Sequence, residues 1–131
     1  MIRVVADTNM LIASIFWNGA PYRIVQLALD NKLEIITSKA ILAEVRTVLK
    51  DEFRLTEQET DDIINCIMMY AILIEPKTRV QIVRDPKDDM LLEAALDSRA
   101  QYVITRDNDL LDIKSYKGIK IVKPEEFWQP Q

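Results

Sequence analysis

Ile2-Arg3-Val4-Val5-Ala6-Asp7-Thr8-Asn9 is the stretch from which the fold of this chain is read. Residues 2–6 are apolar except for Arg3 and β-branched at Ile2, Val4 and Val5, and the run stops at the turn-forming trio Asp7-Thr8-Asn9. A strand with one wet face alternates apolar and polar residues, whereas a strand covered on both faces is continuously apolar. Strands of the second kind belong to parallel sheets with helices on either side, so the rest of the chain should alternate strand with helix.

It does so. Gly19-Ala20-Pro21 opens a helix through about Asp30, with Pro21 suited to its first turn. Residues 33–37 form a second strand, and Ser38 is placed to cap a helix from Lys39 to about Asp51. Thr56-Glu57-Gln58-Glu59 matches a capping box and starts a helix that runs to about Tyr70. Residues 71–75 and 80–83 are short extended candidates, and Asp88 and Asp89 begin a helix through about Ser98. Residues 101–105 read as a strand, 108–112 as a short helix, 119–122 as a strand and 124–128 as a last turn. The expectation is an α/β fold: one domain over residues 1–131, in three α/β/α layers, with a central parallel sheet of four to five strands.

The composition narrows the chemistry. With no histidine and a single cysteine, the chain cannot build a Ser-His-Asp relay, a Cys-His pair or a Cys/His zinc site. Cys66, inside Ile63-Ile64-Asn65-Cys66-Ile67-Met68, reads as a small buried hydrophobe. No apolar stretch reaches the length of a membrane span and the first residues lack the pattern of a signal peptide, so a cytoplasmic protein without membrane contact is expected. A net charge of -4 argues against non-specific coating of nucleic acid, which needs many phosphate contacts. It leaves a nuclease open, because a bound cation neutralises the acids that hold it. Lys39, Arg46, Arg84, Lys87, Arg106 and Lys114 remain available to meet phosphates.

What is left to do chemistry is carboxylate. Asp7 follows the first strand, and Asp107 lies just past the strand at 101–105, in Ile104-Thr105-Arg106-Asp107. In open parallel sheets ligands bind beyond the carboxyl ends of the strands, where strand order reverses. These two acids share that edge if their strands are neighbours. Glu44 sits beside the apolar arc of Ile41, Leu42, Val45, Val48 and Leu49, an unusual place for an acid unless it serves a site at the sheet edge. Asp89 stands in the first turn of its helix, where an ordinary capping or dipole role competes with a site role. Converging carboxylate oxygens suit a hard divalent cation such as Mg²⁺ or Mn²⁺, and without one they repel.

Four segments in this order resemble the PIN-domain ribonucleases, and among them the short VapC-like toxins of toxin-antitoxin pairs. They are Val5-Ala6-Asp7-Thr8-Asn9, Glu44 six residues after Ser38, Asp88-Asp89 before Leu91-Leu92-Glu93-Ala94-Ala95, and Val103-Ile104-Thr105-Arg106-Asp107 before Asp109-Leu110-Leu111. The resemblance implies a negatively charged pocket holding Mg²⁺ or Mn²⁺ on Asp7, Glu44, Asp89 and Asp107, with Asp109 as a fifth member. Asn9 and Thr105 would support these acids. Asp88 is the alternative to Asp89, set behind it because it reads as a helix cap, and Glu93 is a candidate to reach the pocket from one turn further on.

The implied activity is metal-dependent hydrolysis of RNA phosphodiester bonds by an endoribonuclease, with a protein antitoxin as inhibitor and a homodimer as the assembly. Trp17, with Phe16 and Tyr22, is the expected partner surface, together with part of the apolar set Ile63, Ile64, Ile67, Met68 and Met69 on the third helix. Ile64, Ile67 and Met68 are assigned to the core. The alternative is a non-catalytic PIN-like module that binds nucleic acid or protein. A phosphoacceptor receiver domain is disfavoured, since Asp7 is a lone acid followed by Thr-Asn rather than one of a pair.

Overall fold

The computed structural model describes residues 1–128. Strand β1 (Arg3–Ala6) lies inside the sheet, paired in parallel with β2 (Glu34–Ser38) on one side and β4 (Tyr102–Ile104) on the other. β2 carries β3 (Ala71–Ile74) in parallel, and β4 carries β6 (Ile119–Val122). A two-residue strand, β5 (Ser115–Tyr116), closes the far edge antiparallel to β6, giving the order β3-β2-β1-β4-β6-β5. The five parallel strands are those expected. The sixth strand is an addition, formed because Lys117 and Gly118 both take positive φ (49° and 85°), the backbone that a tight hairpin turn requires.

From β1 the chain moves outward to β2 through α1 (Thr8–Phe16) and α2 (Ala20–Leu29), then to β3 through α3 (Lys39–Asp51) and α4 (Glu57–Tyr70). It returns across the sheet through α5 (Pro86–Ser98) to β4, continues through α6 (Asn108–Leu111) to the β5–β6 hairpin, and turns through α7 (Pro124–Phe127). Right-handed crossovers that run in opposite directions put their helices on opposite faces. Accordingly α1 to α4 pack on one another, while α5 lies across β1, β2 and β4. Val4, Val5, Ala6, Ile35, Ile36, Val103 and Ile104 are at most 1% exposed, which is the two-sided burial their sequence demanded.

Four local expectations are corrected. Asp7-Thr8-Asn9 is not a turn: Asp7 is the N-cap of α1, and its Oδ1 accepts a hydrogen bond from Met10 N at 2.7 Å. α5 starts at Pro86 with Asp85 as its N-cap, two residues before the expected start, because proline is at ease in a first turn and an extended residue precedes it. Cys66 is exposed on α4, as are Met68 and Met69 at 44% and 83%; that helix turns Ile67 and Thr60 inward instead.

The fourth correction concerns residues 80–83, which join no strand. The amides of Val80, Ile82 and Val83, and those of Lys77 and Thr78, bond to side chains of α5. Asp97 accepts from the amides of Lys77 and Thr78 (2.9 Å for the latter) and from the Thr78 hydroxyl at 2.6 Å. Glu93 accepts from Val80 N at 3.0 Å, and Asp89 Oδ1 accepts from Ile82 N and Val83 N at 3.2 and 3.1 Å. Residues four apart share a helix face, so Asp89, Glu93 and Asp97 form one row that straps an extended segment to the helix. Amides that a neighbouring strand's carbonyls would have taken are taken by carboxylates instead.

Candidate functional site

The direction of travel along the sheet reverses between β1 and β4, which is where a crevice opens beyond the strand ends. Ala6 pairs with Ile104, and Asp7 N donates to Ile104 O at 3.1 Å, so the residues following both strands are brought together. Thr105, fully buried, ties them: its hydroxyl donates to Asp7 Oδ2 at 2.6 Å and accepts from Asp107 N at 3.0 Å. Asp107 in turn caps α6, its Oδ1 accepting from Asp109 N at 2.8 Å.

A cleft of about 230 Å³ lies over this junction, walled by Asp7, Asn9, Glu44, Asp85, Asp88 and Asp107 together with Lys87 and Arg106. Carboxylate oxygens of Asp88, Asp107 and Asp109 lie within 4.8 Å of one another. Asp88 is buried, and its Oδ2 finds no hydrogen-bond partner among the described residues. Of the residues singled out from sequence, Asp7, Glu44 and Asp107 meet in the cleft with Asn9, and Asp109 joins at its edge. Asp89 does not line it. Because α5 begins at Pro86, Asp88 is the first-turn acid that faces the cleft, while Asp89 and Glu93 face the strap.

Sequence reasoning missed Asp85 as part of the cleft. The signal was present in Asp85-Pro86, an N-cap followed by the residue most at home in a first helical turn. Among the bases expected near phosphate, Arg46 is engaged by Glu57 and Asp61, and Arg106 by Glu125. Lys87 stands 4.0 Å from Glu44, and Arg84, 90% exposed, stands 3.6 Å from Asp109 at the mouth.

The acids are under electrostatic strain. Burial pushes the Asp88 carboxyl up to about 7, helped by the negative charges of Asp107, Asp85 and Asp109 and by a bond Asp88 can give Asp107 only while it keeps its proton. Burial also raises Asp7, against the lowering effect of the Thr105 hydroxyl and the amides of Met10 and Arg106. Glu44 is raised by burial, with Lys87 pulling the other way. The donor set is oxygen only, converges on one point, and includes a buried oxygen that no donor among the described residues reaches. Those properties fit a hard divalent cation.

The profile of the PIN domain matches residues 3–109, and the chain belongs to the PIN-domain family, whose members are in general nucleases that use divalent metals. Among its relatives, an uncharacterized protein of Methanocaldococcus jannaschii, MJ1680, is 28% identical over 96% of this chain and 89% of its own length. Among solved structures, VapBC2 from Rickettsia felis, bound to a DNA fragment from its promoter, superposes with a TM-score of 0.65 at 13% identity, over 92% of this chain and 97% of that one. PAE2754 from Pyrobaculum aerophilum superposes with a TM-score of 0.60 at 18% identity, over 92% and 90%. Both share the fold: a mostly parallel sheet between helices. No helix among the described residues is long and apolar enough to cross a membrane.

Proposed function

We propose that this chain is a Mg²⁺- or Mn²⁺-dependent endoribonuclease that hydrolyses RNA phosphodiester bonds, acting in the cytoplasm as the toxin of a toxin-antitoxin pair. The observation that carries the reading is the convergence of Asp88, Asp107 and Asp109 beside Asp7 at the sheet's reversal point, with one buried Asp88 oxygen unpartnered. Asp7, Asp88 and Asp107 would hold the ion, with Asp109 and Glu44 completing or flanking its shell. Asp88 takes the role that the sequence reading gave to Asp89. When bound, a divalent ion supplies water activation near neutral pH and stabilises charge developing on phosphate oxygens.

The chain's own groups do the remainder. Thr105 fixes the Asp7 carboxylate and the Asp107 backbone at once, so the two acids keep a common geometry. Lys87 and Arg84 put positive charge at the rim of a cleft that would otherwise repel a polyanion. The likeness of fold to VapBC2 and the VapC-like motif order support a protein antitoxin as partner. The exposed aromatic group of Phe16, Trp17 and Phe53 (Phe16 and Phe53 stacked at 5.2 Å) supports a contact surface for that partner or for a second copy.

The test is cleavage of a mixed single-stranded RNA pool with Mn²⁺ by wild type and by Asp107→Asn. The expected result is metal-dependent fragments from wild type only. RNA binding without cleavage by wild type under any divalent ion would favour the non-catalytic binding module instead.

A further inference from the structure

Next to the acid cleft, and sharing Met90 as a wall, lies a second cleft of about 290 Å³ lined by Lys39, Ile74, Glu75, Pro76, Arg79 and Glu93. Its chemistry differs from its neighbour's. Lys39 and Arg79 enter no salt bridge among the described residues, unlike Arg46 and Arg106. Arg79 spends one guanidinium nitrogen on the carbonyls of Pro76 and Thr78, and its charge reaches Asp97 without forming an ion pair with it. Of the two acids, Glu93 is committed to the Val80 amide at 3.0 Å, which leaves Glu75 at the exposed side. Ile74, Pro76 and Met90 supply apolar wall.

Two cations, apolar wall and one exposed carboxylate make a site for a nucleotide rather than for a bare anion. The cations meet a phosphate, the wall meets the face of a base, and a carboxylate accepts from a base amino group. We propose that this second cleft seats a nucleotide of single-stranded RNA flanking the phosphate held over the acid cleft, with Lys39 and Arg79 on its backbone. The inference rests on the ribonuclease reading for its substrate class. It also gives the strap a purpose: Arg79 lies between Thr78, held by Asp97, and Val80, held by Glu93, so the carboxylate row of α5 sets the cation in the cleft.

The experiment measures fluorescence anisotropy of a short labelled single-stranded RNA pool across a salt series. It is done in the Asp107→Asn background, with Lys39→Ala and Arg79→Ala added singly and together. Lys117→Ala, at the opposite end of the sheet, is the control for charge alone. Both target residues are exposed, and unchanged melting temperatures check the fold. Each substitution should weaken binding several-fold at low salt and flatten the slope of log K against log salt by about 0.7. The control should do neither, and Arg79→Lys should restore the slope.

Cleavage by wild type, run alongside, separates the two claims. If wild type cleaves RNA while Lys39→Ala and Arg79→Ala bind no differently from the control, the second cleft is not a subsite and the nuclease reading stands. If wild type does not cleave but binding still depends on Lys39 and Arg79, the nuclease reading falls and the subsite stands. Binding that no substitution changes, without cleavage, overturns both.

Discussion

Two sets of carboxylates occupy adjacent faces of α5, and they live in opposite circumstances. Asp89, Glu93 and Asp97 are engaged with backbone amides of the strap, and the bonds to Thr78 and Lys77 hold the Asp97 carboxyl below its ordinary range. Asp88, one residue from Asp89, has a buried oxygen with no partner and a carboxyl pushed up to about 7. On this helix the structural acids have oxygens already bonded to the strap, whereas Asp88 keeps a buried oxygen that no donor among the described residues reaches. Neither burial nor position in the first helical turn separates the two, since Asp88 and Asp89 share both.

The largest expected effect exchanges these roles by mutation. Asp88→Asn should cut metal-dependent RNA cleavage by at least about 100-fold, the scale of losing a group that positions a metal or developing charge. Asp89→Asn should leave most of the activity, because an amide oxygen still accepts from Ile82 and Val83. Initial rates of the two purified variants decide it, and the reverse ranking would return the metal site to Asp89.

A smaller effect tests the structural side. Asp89→Ala strips the acceptor from two strap amides and should cost about 1–3 kcal/mol in urea unfolding, while Asp89→Asn should cost less than half of that. Equal losses in both variants would mean that charge, rather than the hydrogen bonds, holds the strap.

The smallest effect is the dependence of stability on pH. Asp88, Asp7 and Glu44 have folded-state carboxyls raised above their ordinary values. The folded protein therefore holds protons that the unfolded chain has released, and stability falls as pH rises from about 4 towards about 7. Asp97, lowered, acts in the opposite sense and loses its contribution as pH falls through the acid range. Melting in a chelator should show a decline between pH 5 and pH 8 that Asp88→Asn reduces and that Mn²⁺ counteracts by binding the charged form. A slope unchanged in Asp88→Asn would show that this residue is not the strained one.

The legible part of the fold was the part written in continuous apolar strands and side-chain caps. Ile2 to Ala6, the Ser38 cap and the Thr56–Glu59 capping box all stand where pattern put them, and Asp7 and Asp107 follow from strand ends. What was not legible depended on rotation about a helix axis. Starting α5 at Asp88 instead of Pro86 hides which of two neighbouring acids faces the cleft, a difference of about 100° that no composition reveals. Similarly, α1 went unread because Asp-Thr-Asn serves a turn and a helix start equally well. On α4 the nearly unbroken apolar run 63–69 gave no period by which to turn Cys66 outward. The strap escaped because its partners are side chains 6 to 20 residues away on a helix rather than a neighbouring strand.

The Thr105 hydroxyl has one proton, and it is given to Asp7; its lone pair takes the Asp107 amide, so the polar chain runs one way from Asp107 through Thr105 to Asp7. With Met10 N on the other Asp7 oxygen, that carboxylate has no rotor left to freeze. Immobilising a side chain on binding typically costs about 0.5–1.5 kcal/mol, and at Asp7 that cost was met when the protein folded. In the proposed metal site the entropy of capture would fall instead on the more exposed Asp109 and Glu44. Preorganisation is therefore unequal across the cleft, with a rigid floor at the sheet edge and adaptable acids around its rim.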